Sequence, residues 1–129
     1  MGRWQSADLR GGVVAALAVP GFAWAGGTLA LGAHPWWALK LGWLGAGIGV
    51  VIWLGLRLAG LGRRATVGLA ALVLAAAAVV TAVGKARFAA SFAEDALAGR
   101  MWFFGWIGIM AAAFVLIAAL AGGTGRSAR

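Results

Sequence analysis

Four stretches of this chain are long and apolar enough to cross a bilayer, and nothing else in it narrows the possible folds so far. A hydrocarbon core of about 30 Å needs roughly 20 apolar residues in a helix. The stretches are 11–33, 36–56, 65–84 and 101–121. In lipid every backbone N–H and C=O must pair inside its own segment, so each stretch predicts a continuous helix. None alternates with period two, as the strands of a membrane barrel would. The expected fold is therefore all-α: an integral-membrane, four-helix transmembrane bundle forming a single domain over residues 1–129, with a flexible tail at 122–129.

Composition removes the main competitors. The chain is 64% hydrophobic and 11% charged, against about half and about a quarter in an ordinary soluble domain. Disorder needs far less apolar content. There is no cysteine, so neither a disulfide framework nor a zinc–thiolate site can be built.

Charge carries the orientation. The formal net charge is +8, yet the basic residues flank the apolar runs and no basic face lies along a soluble element, so no nucleic-acid partner is expected. Four spans would put both termini on one side, together with the turn after the second span. That side gathers Arg3, Arg10, Arg57, Arg63, Arg64, Arg126 and Arg129. The other gathers Lys40, Lys85, Arg87 and Arg100, with Glu94 and Asp95 beside them. The positive-inside rule then puts both termini in the cytoplasm. The richness in Arg, Ala and Gly points to a bacterial source, hence a multi-pass protein of the cytoplasmic (inner) membrane whose immediate partners are membrane lipids. Lys40 and Arg57 bracket the second span, about 25 Å apart at about 1.5 Å per residue, and both can snorkel to headgroups. Trp36, Trp37 and Trp102 are expected as anchors at the outer interface and Trp4 at the inner one.

The connections differ in kind. Pro35 disfavours a helical conformation at His34 and should end the first helix there. Gly60 to Arg64 makes a short basic turn. On a helical wheel of residues 85–100, Arg87, Ser91, Glu94 and Asp95 share one sector, while Phe88, Ala89, Phe92, Ala93 and Ala96 fill the other. That pattern predicts a short amphipathic helix in the interface; the alternative is an extension of the third span. The four polar residues are the candidates for partner contact. At the N-terminus, Arg3 and Arg10 precede Val13–Val19 and then Ala23-Trp24-Ala25, the pattern of a cleavable signal peptide. The apolar run continues through Leu31, so the segment is read as a retained first span. Pro20-Gly21, near its middle, should kink it.

Helices in lipid associate through small residues that permit close approach. Gly42, Gly45, Ala46 and Gly49 in the second span and Gly108 and Ala112 in the fourth have that spacing. They are read as packing positions within one bundle, the alternative being a dimer face.

Little reactive chemistry is available. His34 is the single histidine; it sits in a turn and is the one candidate for a haem or metal contact. Asp8, Glu94 and Asp95 all lie outside the spans, whereas proton-coupled transporters keep an ionisable group at membrane depth. Thr28, Thr66 and Thr81 are expected to bond backbone carbonyls. No nucleophile–base set can be assembled, so no enzyme activity, cofactor or metal is expected. His34-Pro35-Trp36-Trp37-x-x-Lys40-Leu41 resembles the start of a helix in small four-span families related to copper-resistance or haem-associated membrane proteins, which carry more histidines. Asp95-x-x-x-Gly99-Arg100 is similar to the chlorophyll-binding helix of light-harvesting-like proteins, which has Glu and Asn where this chain has Asp95 and Ala98. Each resemblance spans about a dozen residues or fewer; what they imply is a haem or pigment binder. The expectation that subtraction favours is a non-catalytic accessory or assembly subunit of a larger membrane-protein partner. The alternative is a homo-oligomeric transporter or channel for a neutral or lipidic solute, its path lined by Pro20-Gly21 and the glycines of the second span.

Overall fold

The computed structural model describes residues 6–122. Among them there are helices and no strands: α1 (Ser6–Trp24), α2 (Gly27–Ala30), α3 (Lys40–Leu58), α4 (Arg63–Ala90) and α5 (Ala96–Gly122). Three of them, α3, α4 and α5, are long and apolar enough to cross a membrane. The segment expected as a tail, 123–129, lies outside the described residues, as does Trp4; Gly122 itself is the buried last residue of α5.

The first apolar stretch is not one helix. α1 runs through Pro20 and stops at Trp24. The break comes at Gly26, whose φ of 91° lies in the left-handed region that a residue without Cβ adopts at little cost. A single turn, α2, follows, and Gly32 (φ 110°) then turns the chain toward His34 and Pro35. α1 also carries Asp8 and Arg10 in its first turns; it falls outside the three helices with spanning length and apolarity. Residues 36–39 form turns that lead into α3 at Lys40 rather than the first turn of the helix.

The predicted amphipathic helix over 85–100 is absent. Residues 85–90 complete α4 and 96–100 open α5, so Arg87, Ser91, Glu94 and Asp95 do not share a helical face. Between them Phe92 and Ala93 both take positive φ (56° and 68°), a conformation that costs L-residues roughly 1–2 kcal/mol each. Ser91 holds the turn: its Oγ donates to the Phe88 carbonyl at 2.9 Å and accepts from the N–H groups of Glu94 and Asp95. Asp95 caps α5, its Oδ1 accepting from the Ala98 N–H at 3.0 Å. These hydrogen bonds stop α4 and start α5 where the wheel predicted one continuous helix.

α5 is the axis of the fold. α4, α3 and α1 each pack against it, and α1 packs also on α3. Glycine makes the approach possible at each contact. A Cβ on Gly45 would strike Met110, one on Gly49 would lie 2.5 Å from the Phe114 Cβ, and one on Gly84 would lie 2.6 Å from the Trp102 backbone N. Gly11 meets the Ala118 carbonyl and Gly122. Gly105 lies against Thr81, and Gly42 against Pro20 and Ala23. Leu41, Trp53, Met110 and Phe114 fill the centre, with the Trp53 and Phe114 rings edge to face at 6.4 Å. Hydropathy does not mark this central place: α4 and α5 share a mean hydropathy of 2.4 in their most apolar stretches, yet 44% of that stretch is buried in α5 and 17% in α4.

These contacts set a stability test. Gly45→Leu and Gly84→Leu should each destabilise the purified protein by about 1–3 kcal/mol through overpacking. Gly47 and Gly55 face open space, so Gly47→Ala and Gly55→Ala should be neutral or gain about 0.5–1 kcal/mol from reduced backbone entropy. Thermal unfolding in detergent, followed by circular dichroism, separates the pairs; equal melting temperatures would show that the glycine contacts do not hold the helices together.

Candidate functional site

With the helix interiors apolar, polar chemistry collects at the two ends. At one end the start of α1, the end of α3, the start of α4 and the end of α5 converge. Arg57 donates from Nη2 to Asp8 Oδ2 at 3.0 Å, an ion pair whose partners are 26% and 18% exposed. Arg63 donates from Nε to the Ala119 carbonyl at 3.2 Å, and Arg10 from Nε to the Ala121 carbonyl at 3.4 Å. The last carbonyls of a helix carry its negative end, so two arginines complete the C-terminus of α5. Asp8, Arg57, Arg63 and Thr66 line a cavity of about 30 Å³ there. Arg57, expected as an interface anchor, is thus half-buried and ties α3 to α1.

The opposite end is aromatic. His34 packs with Trp36, Trp37 and Trp102, at ring-centroid distances of 5.0, 5.9 and 5.6 Å. Its Nδ1 accepts the Trp36 backbone N–H at 3.0 Å, so this nitrogen serves the turn. Trp102 is buried (9% exposed) rather than set at a surface. Its Nε1 donates to the Gly32 carbonyl at 3.2 Å, across the chain, and Phe88 packs on its ring. Lys85 Nζ lies 5.9 Å from the Trp102 ring centroid. Trp36 is 84% exposed, and Lys40 is exposed at the start of α3. Trp102 therefore clamps the 31–34 turn onto α5, a role its position at the edge of an apolar run did not reveal.

The remaining sequence candidates fall in separate places. Gly42, Gly45 and Gly49 face α1 and α5, with Ala46 half-buried beside them. Pro20, Ala23, Met110 and Phe114 pack on these glycines, and beside them a groove of about 480 Å³ between α1 and α3 is lined by Pro20, Ala46, Gly47 and Val50. Ala112 is buried, and Gly108 has the Ala77 Cβ 3.2 Å from where its own would stand. Ser91 and Asp95 are engaged in the α4–α5 turn, while Arg87 and Glu94 are exposed. Thr28 donates to the Ala38 carbonyl at 2.7 Å and Thr66 to the Gly62 carbonyl at 2.8 Å. Thr81 Oγ1 is buried against Gly105 with no hydrogen-bond partner among the described residues.

Between the helices lie grooves. One separates α3 from α4, about 220 Å³, with Ile52, Leu56, Leu69 and Val73 on its walls and Ala112 on its floor. Another, about 500 Å³, runs along α4 beside the 31–32 turn and has Lys85 in its wall. Among the described residues no three His, Asp or Glu side chains converge as a metal site would need. No protein-family model matches the chain, and neither a curated protein nor a solved structure matches it.

The ion pair can be tested directly. Asp8→Asn should lower stability by about 1–2 kcal/mol, between the worth of an exposed pair and that of a buried one, because Arg57 keeps its charge in a half-buried site. Adding Arg57→Gln should restore part of the loss. Detergent melting curves that show no loss in the single variant, or a strictly additive loss in the double, would contradict the coupling.

Proposed function

We propose that the protein is a four-span subunit of the bacterial cytoplasmic membrane, both termini cytoplasmic, that serves a larger membrane complex as a non-catalytic accessory or assembly partner. α1, continued by the α2 turn, makes the fourth crossing. The observation that carries the reading is the exposure of α4. It is as apolar as α5, but packs chiefly along one edge, through Thr66, Ala70, Thr81 and Gly84. Its far side presents Gly68, Leu72, Ala75 and Val79 at helical spacing, all exposed, with open space above Gly68. Small residues so placed let a neighbouring helix approach closely, which is what drives association in lipid. The basic end formed by Arg10, Arg57, Arg63 and Arg64 would face the cytoplasm.

The topology is testable because the chain lacks cysteine. In intact cells, a single cysteine placed at Glu94 should react with an impermeant maleimide, whereas one placed at Gly62 should react only after permeabilisation. The reverse labelling would overturn the orientation. For the role itself, affinity purification in mild detergent should recover a stoichiometric larger membrane protein, and Ala75→Trp should release it without lowering the melting temperature. Recovery only as a monomer or homodimer would sink the accessory reading.

A further inference from the structure

We infer that the groove beside Lys85 is a binding site for an anionic phospholipid, with the lipid phosphate on the Lys85 ammonium and an acyl chain laid along the alanine face of α4. The inference rests on the membrane-spanning reading. Lys85, Ala82, Thr81 and Ala78 line one wall, Trp106 and Ile109 form the floor, and Leu31 and Gly32 close the far side. From Lys85 down to Ala78 the wall runs about 10 Å at about 1.5 Å per residue, and its side chains are short, so a hydrocarbon chain can lie flat against the helix. At the polar edge stands the exposed Lys85 ammonium. It sits by the Trp102 ring and so close to Gly32 that a Cβ there would lie 2.8 Å from Nζ. Gly32 is fixed in turn by the Trp102 indole N–H on its carbonyl.

Charge decides the occupant. Lys85 has no carboxylate partner among the described residues. Of the two acids of the α4–α5 turn, Glu94 is exposed and makes no ion pair with Lys85, and Asp95 is committed to the cap of α5. A net positive charge at the mouth of an apolar groove is matched by a lipid of net negative charge; a phosphatidylcholine brings its own cation and leaves the lysine uncompensated. A helix from a second copy would bury Lys85 without a counter-charge, which is costly.

The test is native mass spectrometry of the full chain released from detergent micelles doped with phosphatidylglycerol or phosphatidylcholine, or with inorganic phosphate alone. The expected result is one retained phosphatidylglycerol per chain, with phosphatidylcholine retained about fivefold less and phosphate not at all. Lys85→Gln should lower phosphatidylglycerol retention about fivefold, the scale of one interfacial lysine contact, and Lys85→Arg should keep it. Ala82→Leu should lower it by filling the groove. Arg100→Gln, an exposed cation outside the groove, should leave it unchanged. Equal retention of both lipids, retention of phosphate alone, a lipid-free dimer, undiminished retention by Lys85→Gln, or an equal loss in Arg100→Gln would each overturn the site. Carbonate extraction of cell membranes reads the membrane-spanning premise separately: recovery in the soluble fraction would remove that premise, whereas retention in the pellet with no lipid preference removes the site alone.

Discussion

The fold depends on how closely three helices can approach a fourth. In lipid, apolar side chains gain little by exchanging hydrocarbon for each other, so association rests on van der Waals contact and on polar groups that find partners. Contact of that kind needs backbones close together, and here glycine supplies the space at each interface with α5. Gly11, Gly45, Gly49 and Gly84 bring α1, α3 and α4 onto α5, and Gly105 of α5 accepts Thr81 in return. Replace Gly11, Gly45, Gly49 or Gly84 and the neighbour must move backbone or Cβ atoms rather than the far end of a flexible side chain. That rigidity is why the ends of the bundle can be organised at all: Arg63 reaches the Ala119 carbonyl, and Trp102 reaches Gly32, only because the helices that carry them are fixed in register.

The ends then divide the polar work. At the Asp8–Arg57 end, three arginines meet backbone carbonyls and a carboxylate: Arg10 and Arg63 bind α1 and α4 to the last turn of α5, and Arg57 binds α3 to α1. At the His34–Trp102 end, rings take over, and one cation, Lys85, rests on them. The first arrangement ties α1 to α3 and both α1 and α4 to α5. The second leaves a charge beside an apolar groove, and it is there that the inferred lipid would be held.

Much of the helical character was legible in the sequence, because apolar length in a chain this poor in charge permits little else. What was misread turns on single residues. Gly26 and Gly27 looked like small residues inside a span, but the left-handed φ of Gly26 ends α1 where proline was expected to act. Ser91 and Asp95 were placed on one face of an interfacial helix. Both are capping residue types, and their hydrogen bonds stop α4 and start α5 instead. The glycine spacing in the second span could be seen without knowing which helix it would meet. The central place of α5 could not be seen, since α4 matches it in hydropathy. A helix's burial depends on how many neighbours reach it, and the fitting glycines lie on those neighbours, far away in sequence. Trp102 was hidden for the same reason: its partner is Gly32, seventy residues earlier.

These features bear on what the protein can offer to others. α5 has three helices packed on it, α1 and α3 pack on each other and on α5, and α4 has the smallest buried share of the three helices of spanning length. Its two open sides are not alike. The side with Gly68 and Ala75 is uncharged and smooth, suited in the proposed role to a protein helix, which needs close approach and tolerates no stray charge. The side with Ala78, Ala82 and Lys85 is a groove with a cation at its mouth, which a helix would cover only by burying the lysine and which a lipid of net negative charge would match. A lipid held there would stiffen α4 along the edge next to the protein-facing side, at the 31–34 turn where Trp102 already ties α5 to the rest of the chain. In the proposed role, partner binding and lipid composition would then act on the same helix, and the subunit would make its complex sensitive to the charge of the surrounding membrane.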